Sequence, residues 1–170
     1  MSESISFDPR ELLRRLVDAG VDFVVIGGLA AQAHGSPTIT ADVDVVPRWD
    51  RATLTRVEAV LRDIAAIRHG VPPDAPVLPP LDARTLLAGA VFTLNSRFGR
   101  IDFLANPDPG LDYAELRKSA LAVTAFGLPL FFASLDDLIS MKRAAGRPKD
   151  RVELEILGAL REEIDQRPAE

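Results

Sequence analysis

Val24-Val25-Ile26-Gly27-Gly28, followed a short helix-length later by Ala41-Asp42-Val43-Asp44-Val45-Val46, decides the fold. Phe23 to Ile26 is an unbroken run of apolar β-formers, the pattern of a strand buried on both faces. Gly27 and Gly28 are free to take positive φ and let a ligand come close to the backbone. Leu29 to His34 then begins a short helix, whose first N–H groups make a natural phosphate site. Side chains alternate along the second strand, so Asp42 and Asp44 share a face about 7 Å apart while Val43 and Val45 enter the core. Neighbouring carboxylates repel, and a divalent cation is the usual reason for keeping two together. A phosphate cradle facing an acid pair points to chemistry on a nucleoside triphosphate (NTP).

The 170 residues suit a single domain with a substantial core, and 47% hydrophobic with 26% charged residues is the balance of a soluble globular chain. The absence of cysteine excludes disulfides and thiolate metal sites, and two histidines make a His-rich site a poor expectation. No apolar run reaches the roughly 20 residues of a membrane span. The N-terminal MSESISFDPREL lacks a signal-peptide h-region, so a cytoplasmic protein without a membrane partner is expected. A net charge of −5 opposes a broad nucleic-acid-binding face but leaves room for a local basic patch.

Asp8-Pro9-Arg10-Glu11 opens a first helix as N-cap, first-turn proline and capping-box acid, with Leu12, Leu13, Leu16 and Val17 as its stripe and Gly20 as its end. Beyond the glycine unit, Pro47 closes the second strand and Asp50 caps a helix predicted to reach about Arg68. Five prolines between Gly70 and Pro80 read as a loop. A short helix is expected over Asp82–Ala88, then strands over Val91–Leu94 and Ile101–Leu104 joined by a turn at Asn95–Gly99. Asp112–Lys118 reads as helix, and Leu121–Ala125 and Leu130–Phe132 as strands around Gly127. Ser134 caps a helix to Ala145 with Gly146 as C-cap, and Asp150 starts a last helix to about Ile164. Residues 1–164 thus form one domain, and 165–170 a polar tail.

Alone, Asp-x-Asp also describes a solvated sheet face. The glycine turn upstream and a third strand acid, Asp102 in Ile101-Asp102-Phe103, strengthen the other reading: if those strands pair, three carboxylates converge as metal-assisted transfer requires. Taken singly, Asp102 also fits an edge-strand charge that discourages aggregation. His34 reads either as a residue near the nucleotide or as a plug bonded to backbone, and His69 as a helix-end residue. Trp49 and Tyr113 are isolated and make no base-stacking platform.

Together, Val25-Ile26-Gly27-Gly28-Leu29-Ala30, His34-Gly35, Thr40 to Val46, Ile101-Asp102-Phe103, Ser134 to Lys142 and Gly146-Arg147-Pro148-Lys149-Asp150 resemble the motifs of the nucleotidyltransferase superfamily. The resemblance is to the small AbiEii/MenT-type toxin members in particular, and covers roughly residues 10 to 160. It implies an α/β (α+β) fold, a mixed β-sheet flanked by helices, with a metal-bound NTP over the glycine turn. By that analogy Asp42 and Asp44 hold Mg2+, and Asp102 is a third ligand or orients the acceptor hydroxyl. Lys142 approaches the triphosphate over Gly27 and Gly28, and Asp150 is a later active-site acid; Arg143, next to Lys142, is a nucleotide-binding candidate by its charge alone. The implied reaction transfers a nucleotide from an NTP to an acceptor hydroxyl on RNA (tRNA) or protein, possessed by the toxin of a pair with a cognate antitoxin. The oligomeric state stays open.

Two departures from the resemblance stand out. Relatives commonly carry Ser where Gly28 stands, and many carry Arg where Thr38 stands, so a hydroxyl and a cation are missing. Lys142, Arg143, Arg147, Lys149 and Arg151 are candidates to supply the charge; they equally fit a helix end that favours cations. The competing readings are an antibiotic-modifying enzyme, whose usual extra helical domain 170 residues leave little room for, and a catalytically silent binding module of the same fold. A dinucleotide fold fits poorly, because the turn is not Gly-x-Gly-x-x-Gly.

Overall fold

Most helices of this chain begin where a polar side chain can close the first turn. Asp8, Asp50, Asp82, Asp112 and Ser134 each accept a bond from the backbone N–H three residues on. The computed structural model describes residues 6–167. In chain order the elements are α1 (Pro9–Asp18), β1 (Phe23–Ile26), α2 (Gly27–Ala33), β2 (Asp42–Pro47), α3 (Arg51–Asp63), β3 (Ile67–Arg68) and α4 (Ala83–Ala88). They continue with β4 (Val91–Ser96), β5 (Gly99–Leu104), α5 (Tyr113–Ser119), β6 (Leu121–Ala125), β7 (Leu128–Phe132), α6 (Leu135–Ala145) and α7 (Asp150–Gln166).

The strands form one mixed sheet in the order β3-β4-β5-β2-β1-β7-β6. β1 is antiparallel to β2 and parallel to β7, while β2 is parallel to β5. Because β2 runs opposite to β1, the end of β1 meets the beginnings of β2 and β5. The register is Ile26 opposite Asp44, and Asp44 opposite Asp102. Val43, Val45, Ile101 and Phe103 are wholly buried on the alternate positions. Each contributes about 1.5–3 kcal/mol of burial, and a one-residue slip would turn the acids into the core, so the apolar pattern itself holds the carboxylates in line. α1 packs on α3 and β2, and α3 on α4; α2 packs on β1, β2 and α6, α6 on α7, and α5 on β1. The mixed α/β single domain expected from the sequence is the fold observed.

Several local expectations are corrected. The Glu11 carboxylate pairs with Arg14 rather than returning to the N-cap, and the Asp8 N–H donates to Phe98 O at 2.9 Å, tying α1 to the β4–β5 hairpin. α2 starts at Gly27, two residues before the predicted Leu29. α3 stops at Asp63 instead of Arg68: Ala65 turns to φ +53° and Ile67–Arg68 pair with Leu94 and Asn95 as a strand. His69 therefore lies beyond a strand, its N–H bonded to Thr93 O, and is no helix-end residue. The β4–β5 connection is tighter than predicted, with Ser96 opposite Gly99. Asp102 lies on an interior strand between β2 and β4, so the edge-charge reading falls. α7 runs through Asp165 to Gln166; residues 168–170 of the predicted tail, and residues 1–5 of the N-terminal stretch, lie outside the described residues. No described helix is long and apolar enough to cross a membrane.

Candidate active site

Asp42, Asp44 and Asp102 come together at the mouth of the sheet, one carboxylate oxygen of each lying within 4.8 Å of the others. Strand alternation puts Asp42 and Asp44 on one face of β2, and the parallel β2–β5 register brings Asp102 alongside. Thr40 Oγ1 donates to Asp42 Oδ1 at 2.9 Å and fixes its rotamer. Asp102 Oδ1 is buried and has no hydrogen-bond partner among the described residues. Burial first, and then the charges of Asp42 and Asp102, push the Asp44 carboxyl up to about 7, against the pull of Arg100 and Lys142. A trio of crowded oxygen donors, one of them unpartnered, is the environment a hard divalent cation relieves.

The two glycines prove to be shaped by the acid strand. Gly27 has φ +65°, and a Cβ there would lie 2.1 Å from Asp44 Oδ2. A Cβ on Gly28 would lie 2.5 Å from Thr40 Cβ, which explains why this chain cannot carry the serine of its look-alikes while Thr40 braces Asp42. The space predicted for an approaching ligand is thus taken in part by the side chains of Asp44 and Thr40. No side chain caps α2.

Gly27, Gly28 and the three acids open into a cleft of about 510 Å³ that Thr38, Arg100, Lys142, Arg147 and Lys149 also line. This is an ordinary size for a site holding a small molecule. Lys142 reaches it from α6 because Leu138, Met141, Lys142 and Ala145 share one helical face. Arg143, one step around the helix, is exposed and is not among the residues that line the cleft. Arg151 does not line it either. Asp150 is fully buried rather than open to the cleft. It accepts from Lys142 Nζ at 3.2 Å and from Arg147 Nε at 2.8 Å. Burial opposes its ionisation, but the bonds from Arg147 and Lys142 prevail and hold it below the ordinary carboxylate range. It sits behind the two cations and is not among the residues that line the cleft. Glu153, one turn further along α7, also pairs with Lys142.

Arg100 was not anticipated. It stands opposite Asp42 in register and two residues before Asp102, so the alternation that exposed the acids could have found it. His34 contacts Ala133 O through Nε2 at 2.8 Å, which is the backbone-plug reading. Trp49 stacks with Phe92 at 6.5 Å, away from the acids.

No protein-family profile matches the chain, and no curated protein matches it. Solved structures do. A Thermotoga maritima protein assigned as a nucleotidyltransferase, TM1012, aligns over 98% of this chain and 100% of its own at 18% identity and a TM-score of 0.53. The lincosamide antibiotic adenylyltransferase LnuA, solved with lincomycin, aligns over 91% of this chain and 99% of its own, at 14% identity and TM-score 0.58. ANT(2'')-Ia, solved with adenylyl-2''-tobramycin, aligns over 91% and 98%, at 16% identity and 0.53. Those two antibiotic-handling chains are spanned almost end to end, so the length argument raised against that reading does not hold. At such identities the likeness establishes architecture: this chain has the nucleotidyltransferase fold.

Proposed function

We propose that this chain is a divalent-metal-dependent nucleotidyltransferase, taking an NTP and an acceptor hydroxyl. The observation that carries the proposal is the convergence of Asp42, Asp44 and Asp102 beside the Gly27-Gly28 turn within one cleft. The residues fit a metal: an all-oxygen donor set suits Mg2+, and the unpartnered Asp102 Oδ1 is available. Asp42, Asp44 and Asp102 would hold the cation, which when bound polarises phosphoryl oxygens and offsets the charge that develops on them.

The chain's own residues supply position and charge. Lys142 and Arg147, held by Asp150, face the cleft where a triphosphate would lie. The Gly27-Gly28 backbone forms the floor. Asp102 orients the acceptor hydroxyl. The acceptor oxygen bonds to the α-phosphorus, and the bond from that phosphorus to the bridging oxygen breaks. Pyrophosphate leaves with the electron pair, and the hydroxyl proton passes to a carboxylate of the trio.

The resemblance to AbiEii/MenT-type toxins supports RNA (tRNA) or protein as acceptor, a cognate antitoxin as partner and residence in the cytoplasm with the NTP pool. The 142–151 cluster, of which Lys142, Arg147 and Lys149 line the cleft, is the candidate basic lip for such an acceptor. A second reading, a small-molecule acceptor, is favoured by the antibiotic-handling neighbours and by the exposed apolar Ile39 and Val91 at the cleft. The silent-module reading is opposed by the intact trio.

The purified protein should be incubated with Mg2+, each α-labelled NTP, and in turn tRNA, cell lysate, a lincosamide and an aminoglycoside. Label is expected on one acceptor class and is expected to vanish in Asp42→Ala. Absence of transfer together with no NTP-dependent thermal shift would leave the silent module as the surviving reading.

A further inference from the structure

We propose that Arg100 is a displaceable counter-cation: it neutralises the acid trio in the metal-free protein and, once a divalent cation takes its place, turns its guanidinium to the triphosphate of the incoming nucleotide. The inference rests on the metal-site reading above and assigns a residue that reading does not use.

Three observations carry it. First, Arg100 touches the ligands themselves. Its Nε lies 3.9 Å from Asp42 Oδ2 and its Nη2 3.5 Å from Asp102 Oδ2, and among the described residues it pairs with no other acid. Second, the grip is loose. Both contacts are long, neither is a fork-to-fork pair, and Nε is buried without a hydrogen-bond partner. A guanidinium with spare donors and a side chain 40% exposed can be moved at small cost. Third, two of the other cleft cations differ. Lys142 is held by Asp150 and Glu153, and Arg147 by Asp150, and no metal at the trio would release them.

A cation at the trio neutralises the carboxylates that hold Arg100 and removes its reason to stay. Its planar fork matches phosphate oxygens better than a lysine would. This answers the departure at Thr38, which lines the same cleft without charge. Arg100 brings from β5 a charge that Thr38, in the loop between α2 and β2, does not carry. Metal and nucleotide binding then become coupled, because one ligand frees a group the other needs.

The test uses Mn2+ as a spectroscopic stand-in and the non-hydrolysable α,β-methylene analogues of the four common NTPs. Mn2+ affinity without nucleotide, and analogue affinity at saturating Mn2+, are measured for wild type, Arg100→Gln and Arg100→Lys. Arg100→Gln is expected to bind Mn2+ alone about fivefold tighter and the analogue about tenfold more weakly. Arg100→Lys, which keeps the charge, is expected to restore both toward wild type. Opposite signs are the signature, since mere disturbance of the strand would weaken both. Mn2+ binding no tighter in Arg100→Gln, or analogue binding unchanged, would overturn the role assigned to Arg100 while leaving the metal site standing. If neither wild type nor Arg100→Gln binds Mn2+, the metal-site reading fails and this inference with it. Binding by Arg100→Gln alone would support the competition in its extreme form.

Discussion

Asp44→Asn is expected to lose Mg2+-dependent NTP binding altogether, and yet to melt higher than wild type in EDTA at pH 8. The two effects share one cause. Burial, then the charges of Asp42 and Asp102, raise the Asp44 carboxyl from 3.8 to about 7. A carboxyl whose folded value is raised contributes fully to stability only below its unfolded value, and that contribution is lost as pH climbs through about 7. At pH 8 the charged Asp44 is a cost, and the amide removes it. The gain is at most about 4 kcal/mol, which raises the melting temperature by several degrees for a domain of this size. It should fade toward pH 4, where Asp44 in the wild type is protonated. Adding Mg2+ should stabilise wild type and leave the variant unmoved. Thermal melts across pH, with EDTA and with Mg2+ and NTP, check all of this. A variant that melts no higher at pH 8, or still shows the Mg2+–NTP shift, would sink the assignment.

Gly27→Ala is the second large effect, and it separates backbone strain from damage to the site. A left-handed φ costs an alanine about 1–2 kcal/mol. The added methyl would also lie 2.1 Å from Asp44 Oδ2, so Asp44 must move. The sum is expected at about 2–4 kcal/mol of lost stability, with metal binding abolished even where the protein remains folded. Gly20→Ala is the matched control: φ is +68°, but the nearest atom to its Cβ is Arg56 Nη1 at 3.9 Å. It should pay the strain alone and keep full metal affinity. Equal metal binding in the two variants by calorimetry would show that Gly27 is not packed against the ligand set.

That pair also shows what the sequence could and could not convey. The strand–glycine–helix–strand unit was legible because apolar alternation and turn chemistry are local, and Asp42, Asp44 and Asp102 followed from counting by twos along β2 and β5. The helix caps at Asp8, Asp50 and Ser134 were legible for the same reason, whereas Asp82 and Asp112, read as the first residues of their helices, prove to be caps. The end of α3 was not, because Ala65 at φ +53° is a left-handed alanine that no propensity announces, and β3 exists only through its pairing with β4. The glycines were read as room for a ligand. Only the folded chain shows that Asp44, by the register of β1 against β2, and Thr40, just before β2, occupy that room. Asp150 was placed by analogy, and Arg143 by its charge beside Lys142. Three-dimensional packing puts one behind Lys142 and turns the other to solvent. Arg100 escaped notice because its meaning depends on Asp42, on another strand.

Crystals grown with Mn2+ and an α,β-methylene NTP analogue, measured at the manganese edge, give the most direct test. An anomalous peak is expected at about 2.0–2.6 Å from carboxylate oxygens of Asp42 and Asp44, with the triphosphate over Gly27-Gly28. A nucleotide bound elsewhere, or a trio without a peak while the analogue is present, would contradict it.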